Sequence, residues 1–165
     1  MLNIKPKITL VGAGPGDPEL LTLKAVKALA EANVVLYDAL ANEEILDYAP
    51  KNAIKIFVGK RIGNHAYTQD QINQLIVDNA LTYGNVVRLK GGDPFIFGRG
   101  SEEIEFAESF GIETIVVPGI SSVVAVPANL GISITKRGVS ESFWAITGTT
   151  SYRKLSADVA LAAQS

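Results

Sequence analysis

The sequence predicts an α/β protein with a mostly parallel β-sheet and flanking helices, followed by the start of a second α/β domain. Short apolar runs rich in valine and isoleucine alternate with segments of helical period along the 165 residues. Strands that alternate with helices imply parallel pairing through right-handed crossovers. A hydrophobic content of 47% is sufficient for a packed core. The predicted strands are Ile8–Val11, Val34–Tyr37, Ile54–Val58, Val86–Leu89, Thr114–Val117 and Phe143–Thr147.

Capping and turn signals predict the helices. Thr22 can cap a helix over Leu23–Ala32. Thr68-Gln-Asp-Gln71 resembles a capping box, and the helix that it opens ends near Gly84, a residue type that commonly follows helix ends. Further helices are predicted from Ser101 to Phe110, from just after Ser122 to about Asn129, and over Ala157–Gln164.

The predicted domain organisation is one complete domain followed by part of another. Residues 1–134 contain the first five predicted strands, and Gly131–Gly138 has the composition of a linker. Residues 135–165 contain one predicted strand and one predicted helix. Because a lone strand and helix cannot bury their own apolar faces, we expect this segment to be the beginning of an incomplete second domain.

The composition excludes several kinds of site. The chain has no cysteine and one histidine, His65, which excludes disulfides, a cysteine nucleophile and metal sites built on thiolates or clustered histidines. We therefore expect no metal. No apolar stretch approaches the length of a membrane span and no signal peptide is apparent, so the expected location is the cytoplasm, without membrane binding. The net charge of −2 argues against nucleic-acid binding.

Cations nevertheless cluster in or beside loops that contain glycine. Between Asp47 and Asp70 there is no acidic residue, although several cations lie there. Locally basic loops on an acidic protein favour an anionic small-molecule substrate. The clustered cations are Lys60, Arg61, Arg88, Lys90, Arg99, Lys136 and Arg137.

The segment Arg88–Gly100 has the composition of a ligand-binding loop. It runs out of a predicted strand, and its glycines surround the single carboxylate of Asp93. Glycine allows the backbone to approach a ligand closely, and loops after parallel strands are where open α/β sheets bind small molecules. An ordinary tight turn needs only one or two glycines. We therefore favour a ligand site over a purely structural turn.

The loop Gly12–Gly16, which follows the first strand, imitates a dinucleotide-binding loop. Asp38 ends the second strand about where a ribose-binding acid would lie. However, Pro15 and Pro18 remove two amides, and Asp17 places a negative charge where a phosphate would bind. These residues argue against a nicotinamide cofactor. A nicotinamide-dependent oxidoreductase and a non-catalytic binding module remain the alternative classes.

Polar residues follow several of the predicted strands. Asp38, Lys60 and Asp93 come after the second, third and fourth strands, and Ser121 with Ser122 follows the fifth. Because the carboxyl ends of parallel strands meet at one edge of a sheet, we expect these residues to converge on one site.

Five further motifs span nearly all of residues 8–138: Val11–Ala25, Val34–Asp38, Val58–Arg61 with Gln71–Asn73, Arg88–Gly100 and Val117–Ser121. In order and spacing they resemble the tetrapyrrole methylase family. The resemblance implies transfer of methyl groups from S-adenosylmethionine to two pyrrole carbons of uroporphyrinogen III, giving precorrin-2 for siroheme or cobalamin. It also implies a homodimer. One alternative is a sister methyltransferase that acts on a later precorrin. Because family members continue through a full second domain, an inactive truncated form is another.

The resemblance assigns roles to individual residues. Asp38 and Lys60 match the positions of the family's proton acceptor and proton donor. Lys136 departs from the family pattern, which commonly has histidine there, and Ser101 stands where glycine is common. Arginine and lysine side chains suit the carboxylates of the substrate. The cofactor-binding positions are Pro15, Gly91, Gly92, Asp93, Ile96, Ser121 and Ser122, and the candidate substrate-binding cations are Arg61, Arg99, Lys136 and Arg137.

Overall fold

The computed structural model describes residues 5–59, 67–148 and 154–164. Five strands form one sheet in the order β3-β2-β4-β1-β5, and every neighbouring pair is parallel. The predicted parallel α/β architecture is therefore confirmed. The strands are β1 (Lys7–Gly12), β2 (Val34–Tyr37), β3 (Ile54–Phe57), β4 (Asn85–Lys90) and β5 (Glu113–Val117).

Helices connect and follow the strands, and two of them begin directly after Thr22 and Thr68, as the capping signals predict. The hydroxyl of Thr22 accepts a hydrogen bond from the Ala25 amide at 3.1 Å, as expected of an N-cap residue. The helices of the described part of the chain are α1 (Leu23–Ala30), α2 (Gln69–Tyr83), α3 (Gly100–Ser109), α4 (Ser122–Asn129) and α5 (Ala157–Ala162), with 3₁₀ helices over Pro18–Leu20 and Glu43–Tyr48.

The central strands β1, β2 and β4 of the sheet are buried on both faces. On one face, Ala25 and Leu29 of α1 pack with Ile45 of the second 3₁₀ helix. On the other face, Ile76 of α2 and Ala107 of α3 pack against the strands. Burial on both sides explains why the strands are continuous apolar runs rather than alternating ones. With the faces of these strands covered, a binding site in this unit is expected at the loops of the carboxyl edge.

The structure corrects the sixth predicted strand. Phe143–Thr147 is irregular chain, and Phe143 and Trp144 are about half exposed. A strand needs a neighbouring strand, and among the described residues the sheet contains only β1 to β5. The chain divides into two compact units, Met1–Ser122 and Val123–Ser165. That the second unit begins a further α/β domain stays a prediction.

The capping box of α2 gives a prediction for stability. The Thr68 hydroxyl accepts from the Gln71 amide at 3.2 Å, and the Gln71 side chain accepts from the Thr68 amide at 2.9 Å. Thr68→Ala is expected to lower the free energy of unfolding by about 1 kcal/mol, measured by urea denaturation. The control is Thr82→Ala in the same helix, where the hydroxyl only donates back to the Asp78 carbonyl. Equal losses in the two variants would contradict the assigned cap.

Candidate functional site at the carboxyl edge of the sheet

The loops after β1 and β4 are joined by hydrogen bonds at the carboxyl edge. The Gly92 amide donates to the Gly14 carbonyl at 2.7 Å, and the Gly14 amide donates to the Gly92 carbonyl at 3.2 Å. The Ala13 amide also donates to the Lys90 carbonyl at 2.7 Å. These bonds continue the pairing of the two strands into the glycine-containing loops. The two glycine motifs therefore belong to one structure.

Asp93 connects this pair of loops to the loop after β5. One carboxylate oxygen accepts from the Phe95 amide at 2.8 Å, and the other accepts from the Gly119 amide at 3.1 Å. Hydrogen bonds from amides to an ionised carboxylate are stronger than those between neutral groups. The single acid among the glycines thus holds the loops together.

Three glycines pack backbone against backbone where these loops meet, and we call Gly12, Gly92 and Gly119 the glycine junction. A Cβ atom on Gly12 would lie 2.7 Å from the Gly92 carbonyl oxygen. One on Gly119 would lie 2.7 Å from the Gly12 Cα atom. Neither position has room for a side chain, so the close approach of the loops requires glycine at both.

Gly92 differs from the other two members of the glycine junction because its side-chain position is open. The nearest atom to a Cβ placed there is the Ser121 Cα atom, 4.0 Å away, and the φ angle of Gly92 is 64°. The loops therefore pack tightly against the Gly92 carbonyl group, on the side of Gly12 and Gly119. The side of Gly92 toward which a Cβ atom would point is open, beside Ser121, and we call this space the opening above Gly92. An opening of this kind, floored by backbone, suits a ligand that lies against the loops.

The structure brings together the loops that carry every predicted cofactor-binding residue. Ser121 is buried at the end of the β5 loop, and Ser122 begins α4. Ile96 is 42% exposed in the turn after Asp93, which offers an apolar surface beside the polar backbone. The residues on these three loops are Pro15, Gly91, Gly92, Asp93, Ile96, Ser121 and Ser122.

A cleft of about 560 Å³ lies beyond β2, β3 and β4 in the first unit. Two residues predicted for the site, Asp38 and Arg99, line it. Lys60 follows the lining residue Gly59 directly in the sequence, but Lys60 and Arg61 lie outside the described residues. The cleft is also lined by Ala39, Leu40, Val58, Tyr67, Thr68, Gln69, Ile72 and Arg88.

Asp38 presents a partly exposed carboxylate to this cleft. Its Oδ1 atom accepts from the Leu40 amide at 3.0 Å, which fixes the side chain in a local turn. Its Oδ2 atom lies 3.5 Å from Nη2 of Arg88. The side chain of Asp38 keeps 22% of its surface exposed. The carboxylate is thus oriented on one side and remains accessible on the other.

Arg99, the other predicted residue of the cleft, pairs with a neighbour in the sequence. Its Nε and Nη2 atoms donate to the two carboxylate oxygens of Glu102 at 2.7 and 2.6 Å. Arg99 has a φ angle of 57°, which is uncommon for a residue with a side chain. An unusual backbone angle at the edge of a cleft is typical of functional loops.

Arg88 and Lys90 do not belong to a basic surface, which corrects the interpretation of these two cations. Both are nearly fully buried, and both contact Glu103 in the first turn of α3. They lie on the same side of β4 as Val86, the side covered by α2 and α3. Burial lowers the pKa of Lys90 below its ordinary value, the charge of Arg88 lowers it further, and Glu103 opposes both effects.

Two predicted substrate-binding cations, Lys136 and Arg137, lie in the second unit. The Lys136 amide donates to the Ser140 carbonyl at 2.9 Å and so closes a turn. Both side chains are exposed. Their contribution to substrate binding stays a prediction.

Two further properties concern metals and membranes. Within the described ranges, no group of three or more potential side-chain ligands is arranged to hold a metal ion. Within the same residues, none of the helices combines the length and apolar character needed to cross a bilayer.

An open parallel α/β sheet with glycine-containing loops gathered at its carboxyl edge defines the fold class of this protein. Within that class, residues 7–164 match the sequence model of the tetrapyrrole (corrin/porphyrin) methylases. The chain belongs to this family, as its motifs predict.

Individual relatives are close in sequence and structure. The chain is 54% identical over 142 residues to uroporphyrinogen-III C-methyltransferase of Methanocaldococcus jannaschii, covering 86% of this chain and 59% of that protein. It is 51% identical over 146 residues to the siroheme synthase of Photorhabdus laumondii, covering 88% of this chain and 31% of that protein. The uroporphyrin-III C-methyltransferase of Thermus thermophilus, solved with S-adenosylhomocysteine, matches with a TM-score of 0.77 at 44% identity, covering 92% of this chain and 63% of that one. This chain therefore spans less than two thirds of the length of these relatives.

Proposed function

We propose that this chain takes part in S-adenosylmethionine-dependent C-methylation of uroporphyrinogen III, giving precorrin-2 by way of precorrin-1. The observation that carries the proposal is the opening above Gly92, at the meeting point of three loops whose residues match the cofactor-binding positions of the family. The similarity to a uroporphyrinogen-III C-methyltransferase and to a structure solved with S-adenosylhomocysteine supports it. Siroheme synthesis is the expected use of the product, and cobalamin synthesis is a second one.

The residues at the opening fit S-adenosylmethionine. Gly91, Gly92 and Asp93 would hold it from the β4 loop, with Ser121 and Ser122 from the β5 loop, while Pro15 and Ile96 add apolar surface. The position above Gly92 is open because a side chain is missing there, which leaves space for a bulky ligand against the backbone. When bound, S-adenosylmethionine supplies an electrophilic methyl group on a sulfonium sulfur.

Asp38 is suited to handle the charge that methylation creates on the substrate. When a pyrrole carbon takes up a methyl group, the ring gains positive charge and must release a proton. A carboxylate that lies in the cleft can stabilise that charge and accept the proton. Lys60 would donate a proton or bind a substrate carboxylate. Most of the acceleration comes from alignment of the methyl group with the acceptor carbon, so the reaction requires no metal.

The carboxylates of uroporphyrinogen III give the predicted substrate-binding cations a role. Arg61, Arg99, Lys136 and Arg137 would pair with them. In the structure Arg99 already forms two hydrogen bonds with Glu102, so a substrate carboxylate would compete with Glu102 or share the guanidinium with it. Both groups are exposed, which keeps the free energy of this exchange small.

Substitution of Asp38 tests its role. Asp38→Asn is expected to lower kcat by about 100-fold or more, because general acid–base groups typically contribute at least this factor. The dissociation constant of S-adenosylhomocysteine should change by less than about threefold, since the substitution keeps the shape of the side chain. Steady-state kinetics and calorimetric titration measure the two quantities. Asp78→Asn, on the exposed side of α2, is the matched control. A loss of binding that equals the loss of kcat would contradict the assignment.

The proposal is tested against its alternatives by following a labelled methyl group. Incorporation of the label into uroporphyrinogen III supports it, whereas incorporation only into an already methylated precorrin indicates a sister enzyme. Binding of NAD without binding of S-adenosylhomocysteine would indicate a nicotinamide-dependent oxidoreductase. Binding of neither would indicate a non-catalytic module or an inactive truncated form.

Further expectations accompany the proposed function. We expect a homodimer located in the cytoplasm, which binds neither nucleic acid nor membranes. We also expect residues 135–165 to be the beginning of a second domain. Size-exclusion chromatography with light scattering tests the dimer directly.

A further inference from the structure

A buried group of charges lies behind the cleft and has no assigned role. Glu103, at the start of α3, is 1% exposed. Its Oε1 atom accepts from Arg88 Nε at 3.1 Å, Lys90 Nζ at 3.1 Å and Gln69 Nε2 at 3.2 Å. Its Oε2 atom lies 3.0 Å from Lys90 Nζ. Placing a carboxylate in the interior is costly unless it is paired, and Glu103 joins residues of α2, α3 and β4.

Arg88 connects this buried group to Asp38. Its Nε atom donates to Glu103, and its Nη1 atom donates to the Leu89 carbonyl at 2.8 Å. These two bonds fix the plane of the guanidinium. The remaining Nη2 atom reaches toward Asp38 and stops at 3.5 Å from Oδ2.

The distance between Arg88 and Asp38 is long for a pair of this kind. A guanidinium and a carboxylate that are free to approach form hydrogen bonds of about 2.7–2.9 Å, often two in parallel. Arg88 uses two of its three nitrogens elsewhere, so it cannot present a two-nitrogen fork to Asp38. Asp38 therefore lies close to the positive charge of Arg88 but forms no short, two-point hydrogen bond with it.

We propose that Glu103 is a positioning residue for Asp38: by holding the guanidinium of Arg88 on the buried side, it keeps the Oδ2 atom of Asp38 available to the cleft. The inference rests on the proposed function, in which Asp38 handles the proton. Without the charge of Glu103, Arg88 would turn toward the remaining carboxylate and close on Asp38. The Oδ2 atom of Asp38 would then be engaged in a salt bridge and no longer available to the cleft.

A merely structural role for Glu103 makes a different prediction. Both roles imply that loss of the Glu103 charge destabilises the fold, because Arg88 and Lys90 would lose their buried counter-charge. Only the positioning role implies that loss of the Glu103 charge lowers kcat by changing how Asp38 is held. Groups that act through one another have non-additive effects, whereas independent ones add.

The test is a double-mutant cycle on the complete product of the gene that encodes this chain. Glu103→Gln alone is expected to lower kcat about tenfold, with KM and the dissociation constant of S-adenosylhomocysteine changed by less than about twofold. In the Asp38→Asn background, the same substitution should change kcat by less than about twofold. The same tenfold loss in both backgrounds would overturn the positioning role.

Lys90→Gln is the matched control. Gln keeps a donor for Glu103, and among the described residues Lys90 interacts with Asp38 through its charge and not through a hydrogen bond. This variant should lose stability but keep kcat within about twofold. If Glu103→Gln does not fold, Arg88→Lys replaces it in the cycle, since lysine keeps the charge but cannot contact Glu103, Leu89 and Asp38 together. Full turnover in Asp38→Asn alone would instead refute the proton-handling role of Asp38, and no turnover in the unsubstituted enzyme would refute the proposed function, so the three failures are distinguishable.

Discussion

Replacing Gly92 with valine is expected to abolish binding of S-adenosylhomocysteine. The new side chain would project into the opening beside Ser121, where only the Ser121 Cα atom lies within 4.0 Å of the Cβ position. The proposed cofactor would have to occupy the same space. We expect the dissociation constant to rise by more than about 100-fold, which corresponds to about 2.7 kcal/mol. Isothermal titration calorimetry with the complete gene product measures this change.

Gly111→Val separates the loss of binding from backbone strain. Gly111 has a φ angle of 71°, close to the 64° of Gly92, so a side chain strains both positions similarly. However, Gly111 precedes β5 at the opposite edge of the sheet, and no atom lies within 4 Å of its Cβ position. The control should lose stability and keep its affinity. Unchanged affinity in Gly92→Val would show that the cofactor does not use this opening.

Replacing Gly119 with alanine is expected to destabilise the whole first unit. The added Cβ atom would overlap the Gly92 carbonyl oxygen and lie 2.7 Å from the Gly12 Cα atom, so backbone segments of two other loops would have to move. Overpacking of rigid surroundings costs about 3 kcal/mol, and more where backbone cannot shift. Urea denaturation should show this loss in the free energy of unfolding.

Gly111→Ala again provides the comparison for Gly119→Ala. It introduces strain at a positive φ angle but no collision, so it should cost only about 1 kcal/mol. If Gly119→Ala were as stable as Gly111→Ala, the glycine junction would not be the rigid base of the site.

The sheet could be predicted from the sequence because local signals specify it. Valine-rich and isoleucine-rich runs mark β1 to β5, and the Thr22 and Thr68 side chains mark the starts of two helices. Phe143–Thr147 carries the same local signal and forms no strand, since pairing depends on a neighbour that the local sequence does not report. The 3₁₀ helix Glu43–Tyr48 had no predicted counterpart. It is stabilised by the Asn42 cap and by burial of Ile45.

The glycines of the candidate site were visible in the sequence, but the contacts between them were not. The density of glycine after β4 indicated a ligand loop, yet the packing of Gly12 against Gly119 joins residues far apart in the chain. The same reason explains the error about Arg88 and Lys90. Their partner, Glu103, lies in the next helix, and only the assembled sheet shows that all three are buried.

The most direct test of the proposed function is to incubate the complete gene product anaerobically with uroporphyrinogen III and S-adenosylmethionine, and to measure the mass of the tetrapyrrole. We expect the addition of two methyl groups, one after the other, with one S-adenosylhomocysteine formed for each methyl group transferred. The same incubation with the Asp38→Asn variant is the matched control, and the tetrapyrrole should remain almost unmethylated over the same time. A tetrapyrrole of unchanged mass, from an enzyme preparation that binds S-adenosylhomocysteine, would contradict uroporphyrinogen III as the substrate.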